Sequence, residues 1–238
     1  MKNAIVTGGT KGIGFSIVKT LLKEGYFVYV TYSADEAAAL SAKKEFELIS
    51  PYFSIKCVNQ LYAEQIHSFA KDLTDKLIDC IVCNAGNTVR KSTPDITDQD
   101  WNDVMQVNVN SHFFLIRDLW NQIQSDARII FIGSLMAVHP HATSLPYGVA
   151  KSALHALAKN LLKDFEGTNV TINTIAPGFV ETEWQKNKPQ EIKNNIYNKT
   201  ALHRFATPDE IAEVVKFLLY NPFVNGDVIE VSGGYSYK

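Results

Sequence analysis

The stretch that decides the fold begins near the start of the chain and reads Ala4-Ile5-Val6-Thr7-Gly8-Gly9-Thr10-Lys11-Gly12-Ile13-Gly14. A short apolar run leads into a glycine-rich turn, and helical apolar spacing follows the turn. Gly8, Gly12 and Gly14 permit a tight turn that lets the backbone approach a pyrophosphate at the positive end of the next helix. This order predicts a dinucleotide-binding β–α unit, although three residues separate the first two glycines. The alternative is a turn of the same kind without a ligand.

The alternation of strand and helix continues along the whole chain. Strands are predicted at residues 4–7, 27–31, 53–58, 80–83, 128–132, 171–175 and 228–231. Helices are predicted at residues 13–23, 34–49, 63–73, 98–124, 147–165 and 208–219. Alternating elements with near-continuous apolar strands are typical of a parallel sheet that is covered on both faces. We therefore predict an α/β, doubly wound Rossmann fold in which residues 1–238 form one domain around a seven-stranded parallel sheet.

Residues 182–205 interrupt this rhythm. The segment is polar, contains Pro189 and has few apolar residues. A long excursion from an otherwise regular α/β chain often carries function. We expect residues 182–205 to cover the substrate.

The composition excludes several classes of protein. The 238 residues are 46% hydrophobic and 20% charged, which is typical of a globular protein. The net charge of −2, without a basic stripe, argues against a nucleic-acid partner. The first residues do not resemble a signal peptide, and no apolar run approaches about 18 residues. We expect a cytoplasmic protein without a membrane partner.

The cysteines do not indicate a disulfide framework or a metal site. Cys57, Cys80 and Cys83 form an odd set. Cys80 and Cys83 match a CxxC pattern, but they lie three apart in a predicted strand and so point to opposite faces of the sheet. Packing in the core is the better interpretation of this pair.

Tyr147 and Lys151 carry the clearest chemical signal. They are four residues apart in a predicted helix and therefore share one face. A cation beside a phenol lowers the phenol's pKa from its ordinary value of about 10. Such a tyrosine can transfer a proton during reduction or oxidation at a carbonyl carbon. The same spacing also occurs on ordinary helix surfaces, so the pair needs support from other residues.

The end of the second strand bears on the choice of dinucleotide. Enzymes that use NAD usually place an acid there to hold the ribose 2′-hydroxyl, whereas this chain has Tyr32 and Ser33. Lys11 in the glycine-rich turn can pair with a 2′-phosphate, and Ser33 can add a hydroxyl group. Asp35 is the opposing signal, because it either caps the next helix or reaches the ribose. NADP(H) is favoured over NAD(H).

Six motifs follow one another in order: 7–14 as TGGTKGIG, Asn84-Ala85-Gly86, Asn108, Ser134, Tyr147-x-x-x-Lys151 and Pro177-Gly178. In this order and at these strand ends, they resemble the short-chain dehydrogenase/reductase family over essentially the whole chain. Within the family, the length and residues 204–211 are most similar to the 3-oxoacyl-[acyl-carrier-protein] reductases.

The resemblance implies a role for each catalytic candidate. Ser134 would hydrogen-bond the substrate carbonyl oxygen, and Tyr147 would protonate that oxygen as a hydride reaches the carbon. Lys151 would lower the pKa of the tyrosine and hold the nicotinamide ribose. Asn108 would hold a water that links Lys151 to solvent, with Asn110 as a weaker candidate for the same role.

The turn and the resemblance together imply a set of cofactor contacts along the strand ends. Asn59 would lie by the adenine and residues 84–86 by the adenosine ribose. Four residues would lie by the nicotinamide: Pro177, Gly178, Val180 and Thr182. The full set is Gly8, Thr10, Lys11, Gly12, Ile13, Gly14, Tyr32, Ser33, Asn59, Asn84, Ala85, Gly86, Tyr147, Lys151, Pro177, Gly178, Val180 and Thr182.

The substrate is less well defined than the chemistry. We expect an NADP(H)-dependent oxidoreductase that acts on a carbonyl or alcohol, with reduction of a 3-oxoacyl thioester in fatty acid synthesis as the first interpretation. A sugar, a steroid or another small ketone or alcohol is the alternative substrate. A catalytically silent NADP(H)-binding sensor is the alternative class, although the intact set of Ser134, Tyr147 and Lys151 argues against it.

Partners follow only from the resemblance. The family's carrier-protein reductases use basic residues to hold the acidic acyl carrier protein, and Arg128 matches one such position while Thr168 does not match the other. A homo-oligomer, either a tetramer or a dimer, is expected.

Six apolar side chains are expected either to border the nicotinamide or to belong to the core: Leu135, Met136, Val138, Leu145, Phe179 and Trp184. His139 and His141, on either side of Pro140, are expected to be an exposed loop pair.

Overall fold

A parallel sheet of seven strands forms the centre of the structure, a computed structural model that describes residues 1–139 and 144–235. In chain order the strands are β1 (Asn3–Val6), β2 (Phe27–Tyr32), β3 (Phe53–Cys57), β4 (Ile78–Cys83), β5 (Ile123–Ile132), β6 (Thr171–Pro177) and β7 (Val228–Val231). Their spatial order is β3-β2-β1-β4-β5-β6-β7, so the chain winds outward in both directions from β1 and β4. The predicted doubly wound Rossmann fold is confirmed.

Helices cover both faces of this sheet. They are α1 (Gly12–Lys23), α2 (Glu36–Glu47), α3 (Ala63–Lys71), α4 (Asp98–Met105), α5 (Ser111–Asp118), α6 (Leu145–Leu161), α7 (Glu183–Lys186), α8 (Gln190–Lys199) and α9 (Pro208–Tyr220). Helix α1 packs against α9, while α3 contacts α5 and α4 contacts α6. Within the described ranges, none of these helices combines the length and apolar character needed to cross a membrane.

The two faces of the sheet support separate hydrophobic cores. Along β4, Cys80 and Val82 pack into one core, whereas Ile81 and Cys83 pack into the other. Both cysteines are free and fully buried. The two members of the CxxC pattern therefore lie on opposite faces, as predicted for core residues.

The long helix predicted over residues 98–124 is wrong at its end. Helix α4 gives way to a π-helical turn at Gln106–Asn110, and α5 ends at Asp118. Ile123 already belongs to β5, where it pairs with Ile78 before an irregularity shifts the register. Pairing with β4 satisfies the backbone groups of this segment, so tertiary contacts override its local helical pattern.

The excursion at residues 182–205 is more ordered than its polar sequence indicates, because it contains α7 and α8. Its two ends meet where Val180 and Ala206 form a parallel β-bridge. The Ala206 N–H donates to the Phe179 carbonyl at 2.9 Å, and the rings of Phe179 and Phe205 are 5.9 Å apart. The segment thus consists of two short helices, and its two ends are held together by backbone pairing and by the contact of Phe179 with Phe205.

Candidate active site

A cavity of about 450 Å³ opens at the carboxyl edge of the sheet. Because all the strands are parallel, their carboxyl ends meet at this edge, which is where open α/β sheets bind ligands. The predicted site residues that line the cavity are Gly8, Lys11, Gly12, Ile13, Gly14, Tyr32, Ser33, Asn59, Asn84, Ala85, Gly86, Ser134, Tyr147, Lys151, Pro177, Gly178, Val180 and Thr182.

Thr10 is a predicted cofactor residue that does not line the cavity. It is buried, and it follows Gly9, where a Cβ atom would lie 2.6 Å from Val30 and 2.9 Å from Val18. This part of the turn packs on the core, and a cofactor contact at Thr10 stays a prediction. The turn presents its flanking residues to the cavity instead.

The glycine-rich turn is held by close backbone contacts. A Cβ atom on Gly14 would lie 2.3 Å from the Gly8 carbonyl oxygen and 2.5 Å from Nδ2 of Asn84, so only glycine fits there. Gly12 adopts a positive φ of 52°, which also favours glycine. Asn84 Nδ2 donates to the carbonyls of Thr7 and Gly8 at 2.9 and 3.0 Å, which fixes the turn against β4.

The N-terminus of α1 opens into the cavity without a cap. Among the described residues, no side chain caps this helix and no acid lies in its first turn. Its first N–H groups are therefore available to an anion, and the helix dipole favours negative charge at this point. The glycine turn and these donors fit the pyrophosphate of a dinucleotide.

Ser134 and Tyr147 meet at the other end of the cavity. Ser134 follows β5, and its Oγ accepts a hydrogen bond from the Met136 N–H at 3.1 Å. A hydrogen bond with Ser134 lowers the pKa of Tyr147. Burial acts more strongly in the opposite direction and raises the pKa of the Tyr147 hydroxyl to about 12, although the residue as a whole is only half-buried.

Lys151 lies next to Tyr147, and the expectation that its charge lowers the pKa of the tyrosine stays a prediction. Its Nζ lies 5.6 Å from the centre of the tyrosine ring and donates to the Ile132 carbonyl at 2.8 Å. Within the described part of the chain, no carboxylate forms an ion pair with Lys151. Burial lowers the pKa of this lysine to about 8. A buried cation without a carboxylate partner is a typical sign of a functional site.

Asn108 is fully buried in the π-helical turn and lies beneath the cavity rather than in its lining. Its Nδ2 donates to the carbonyls of Val104 and Asn87 at 2.9 and 3.0 Å. Its Oδ1 has no partner in the described structure. A Cβ atom on Gly86 would lie 2.9 Å from this Oδ1 and 3.5 Å from Nζ of Lys151. The two atoms therefore face a common space.

Two buried histidines near Lys151 were missed by the sequence reasoning. His112 is fully buried, and its Nε2 lies 3.0 Å from the carbonyl of Ala85, which requires the hydrogen to be on that nitrogen. His155 packs on Gly133, where a Cβ atom would lie 2.2 Å from the histidine Nε2. Burial and the charge of Lys151 lower the pKa of His112 to about 3 and that of His155 to about 4.

A sequence signal for these histidines does exist. His112 comes four residues after Asn108, and His155 comes four residues after Lys151. Each therefore continues the helix face of a predicted site residue. Both histidines are neutral at neutral pH.

Lys11 is held by two carboxylates from different segments. Its Nζ lies 2.6 Å from Asp35 and 3.2 Å from Glu183. The hydrogen bond to Asp35 is the main reason that the pKa of Lys11 is raised. Asp35 also caps α2 by accepting from the Ala38 N–H at 2.9 Å. The capping role considered for Asp35 is therefore present, and the residue reaches Lys11 as well.

The excursion contributes Trp184, which the sequence reasoning considered for this region, and two residues that it did not consider. Trp184 lines the cavity and contacts Tyr147 edge-to-face, with ring centres 5.9 Å apart. Glu183 and Gln185 also line it. Of the six apolar residues considered for this region, Trp184 is in the lining, whereas Leu135 is buried in the structure.

The model of one protein family matches most of the chain. This model, described as short chain dehydrogenase, covers residues 2–193. The chain belongs to the short-chain dehydrogenase family. The predictions of family and of an oxidoreductase enzyme are confirmed.

Individual relatives extend over the whole of this short-chain dehydrogenase. A 3-oxoacyl-[acyl-carrier-protein] reductase from Aquifex aeolicus is 31% identical over 98% of this chain and 96% of its own. An acetoacetyl-CoA reductase from Allochromatium vinosum is 30% identical over 97% of each chain. A crystal structure of BdcA in complex with NADPH is similar with a TM-score of 0.88 at 25% identity, over 99% of this chain and 94% of that one.

Two predicted surface features of this short-chain dehydrogenase lie away from the cavity. Arg128 lies in the middle of β5 opposite Thr171, and its Nη1 donates to the carbonyls of Asp126 and Asn169 at 2.6 and 3.2 Å. Its guanidinium group is thus engaged within the chain. His139 is half-buried and lies 3.7 Å from Glu230, while His141 is outside the described residues.

Proposed function

We propose that this short-chain dehydrogenase uses NADPH to reduce the keto group of a 3-oxoacyl thioester. The observation that carries the proposal is the meeting of Ser134, Tyr147 and Lys151 at one end of a cavity whose other end is the glycine-rich turn. The names of the two relatives support the substrate class, since one acts on a carrier-protein thioester and the other on a coenzyme A thioester. The similar structure with NADPH supports the cofactor.

Ser134 and Tyr147 have different roles in the reduction of the carbonyl group. NADPH, when bound, supplies a hydride to the carbonyl carbon. Ser134 donates a hydrogen bond to the carbonyl oxygen, which carries the developing negative charge. Tyr147 gives its proton to the same oxygen and produces the alcohol. Because burial keeps the phenol protonated, with a pKa of about 12, Tyr147 is an acid ready for the reductive direction at neutral pH.

Lys151 and Asn108 would restore the proton. After transfer, the tyrosine is a phenolate, and the nearby ammonium of Lys151 stabilises its charge. The unpartnered Oδ1 of Asn108 and the Nζ of Lys151 face a common space that fits a bridging water. Lys151 would also hold the nicotinamide ribose. These roles, and those of the other cavity residues, are our assignment.

The acyl group of the substrate can be carried by acyl carrier protein or by coenzyme A. The engaged guanidinium of Arg128 and the non-basic Thr168 do not favour docking of an acyl carrier protein at that surface. A coenzyme A thioester therefore suits the chain as well as a carrier-protein thioester does. For a 3-oxoacyl thioester substrate, we propose that the enzyme acts in fatty acid synthesis.

We propose that residues 1–238 act as one domain, since one continuous sheet links both halves. Exposed Trp101, Phe113 and Trp120 on and after α4 and α5 favour a homo-oligomer, which light scattering of the purified protein would test. A cytoplasmic location remains a prediction.

A substrate panel tests the proposed function. NADPH oxidation is followed at saturating NADPH with acetoacetyl-CoA, acetoacetyl-acyl carrier protein, a simple cyclic ketone, a keto sugar and a steroid ketone. We expect the highest kcat/KM with a thioester. Preference for the sugar or steroid would overturn the substrate class. Measurable NADPH binding without turnover of any compound would identify a silent sensor instead.

A further inference from the structure

Lys11 joins three separate segments at the adenosine end of the cavity. The lysine belongs to the glycine-rich turn, Asp35 to the loop after β2 and Glu183 to the first turn of α7. One ammonium therefore faces two carboxylates, at 2.6 and 3.2 Å. The local charge is −1 at the place where the 2′-phosphate of NADPH needs a cation.

The two carboxylates are not held equally. Asp35 is fixed as the cap of α2 through the Ala38 N–H. Glu183 is about two-thirds exposed, and Lys11 is its one ion-pair partner among residues 1–139 and 144–235. An incoming phosphate can displace Glu183 without breaking another ion pair in the described part of the chain, whereas displacing Asp35 removes a helix cap.

We propose that Glu183 sets how strongly the enzyme discriminates NADPH from NADH, because its carboxylate competes with the 2′-phosphate for Lys11. NADH has a hydroxyl group at this position and leaves the Lys11–Glu183 pair intact. The inference rests on the proposed function only for the use of a nicotinamide dinucleotide. It does not depend on which carbonyl compound is reduced.

Glu183 is next in the chain to a residue that contacts the catalytic end of the cavity. Trp184 follows Glu183 directly and contacts the ring of Tyr147. A change at Glu183 is therefore adjacent to the residue that contacts the catalytic tyrosine. NADPH should alter the environment of Trp184 more than NADH does.

The experiment measures cofactor affinity without any substrate. NADPH and NADH are each titrated by calorimetry into the unmodified protein and into Glu183→Gln at low and at physiological salt. Removing one negative charge beside the phosphate should lower the Kd for NADPH about three- to tenfold at low salt, with a smaller gain at physiological salt. The Kd for NADH should change less than about twofold.

A matched control comes from the same segment. Glu181 is exposed, and within the described ranges it forms no ion pair with Lys11. Glu181→Gln should leave the affinities for both cofactors unchanged. If it improves NADPH binding as much as Glu183→Gln does, the effect is one of general charge and the proposal is wrong.

A double-mutant cycle with Lys11→Met isolates the competition. The gain from Glu183→Gln should disappear when Lys11 is absent, because the two groups then no longer share a ligand. A gain that persists in Lys11→Met, an equal gain for NADH or no gain at all would each overturn the proposal. Because no substrate is present, these outcomes stand apart from the substrate panel.

Discussion

The two ends of the cavity are built in different ways. At the catalytic end, Lys151 is 3% and Asn108 is 0% exposed, and each is held by backbone carbonyls. At the phosphate end, the shape comes from glycine backbone, and the charge comes from Lys11, whose side chain is 42% exposed. Burial fixes the chemistry at the first end. Solvent-screened charges, which contribute little individually, are adjustable at the second.

The largest effect tests the catalytic end. Tyr147→Phe removes the proton donor but keeps the ring that contacts Trp184. A general acid typically contributes 10²- to 10⁴-fold, so we expect kcat to fall by about that factor. NADPH affinity, measured by calorimetry, should stay within about twofold.

Either of two results would break this half of the comparison. Retained turnover in Tyr147→Phe would mean that another group delivers the proton. A large loss of NADPH affinity would mean that the phenol belongs to the binding surface as much as to the chemistry.

The next effect tests the phosphate end. In Gly14→Ala the new methyl group would lie 2.3 Å from the Gly8 carbonyl oxygen, so the turn must open. We expect NADPH affinity to fall at least about tenfold and the free energy of unfolding to drop by about 1–3 kcal/mol. Calorimetry and urea unfolding measure the two quantities.

Gly148→Ala is the matched control for a glycine at the other end. The nearest atom to its Cβ would be Met136 Cε at 3.8 Å, an ordinary contact. This variant should bind NADPH normally and unfold at the same or a higher urea concentration, since alanine favours a helix. If both variants behave alike, close backbone contact is not what shapes the turn.

The third effect is gradual and concerns acid stability. The folded-state pKa values of His112 and His155 are about 3 and 4, well below the ordinary 6.5. As the pH falls below about 6.5, the unfolded chain binds protons that the folded chain excludes. Stability should therefore fall by about 1.4 kcal/mol per histidine for each pH unit, until the pH reaches the folded-state values.

Urea unfolding between pH 7 and pH 5 measures this slope. His112→Gln and His155→Gln should each make the slope shallower, whatever they do to stability at pH 7. Asp35→Asn, at the phosphate end, should leave the slope unchanged, because the pKa of that carboxyl is lowered further below this range. An unchanged slope in both histidine variants would show that burial is not the cause.

The sequence predicts the fold well because local and global signals agree. The run from Ala4 to Gly14 contains strand, turn and helix in the order that the sheet uses. The prediction fails where long-range pairing decides, as at Ile123, whose partner Ile78 is distant in the chain. It also fails at α7 and α8, whose polar sequences do not show an apolar face.

The predicted catalytic residues are placed by strand order and helix spacing, which can be read from the sequence, while their roles stay predictions. Ser134 follows β5, Tyr147 and Lys151 lie one turn apart in α6, and all three line the cavity. Electrostatics are different, because the pKa of Tyr147 depends on burial that no spacing reveals. The pairing of Lys11 with Glu183 likewise spans 172 positions and arises only in the folded chain.

The π-helical turn at Gln106–Asn110 has a consequence for chain length. One residue corresponds to about 100° of helix rotation, so an additional residue in a turn offsets the apolar stripes of α4 and α5. That offset lets α4 face α6 while α5 faces α3. Deleting a single residue here would bring the stripes back into phase and swing Asn108 away from Lys151. The residue count between Thr97 and Asp118 is therefore as important as the identity of the residues.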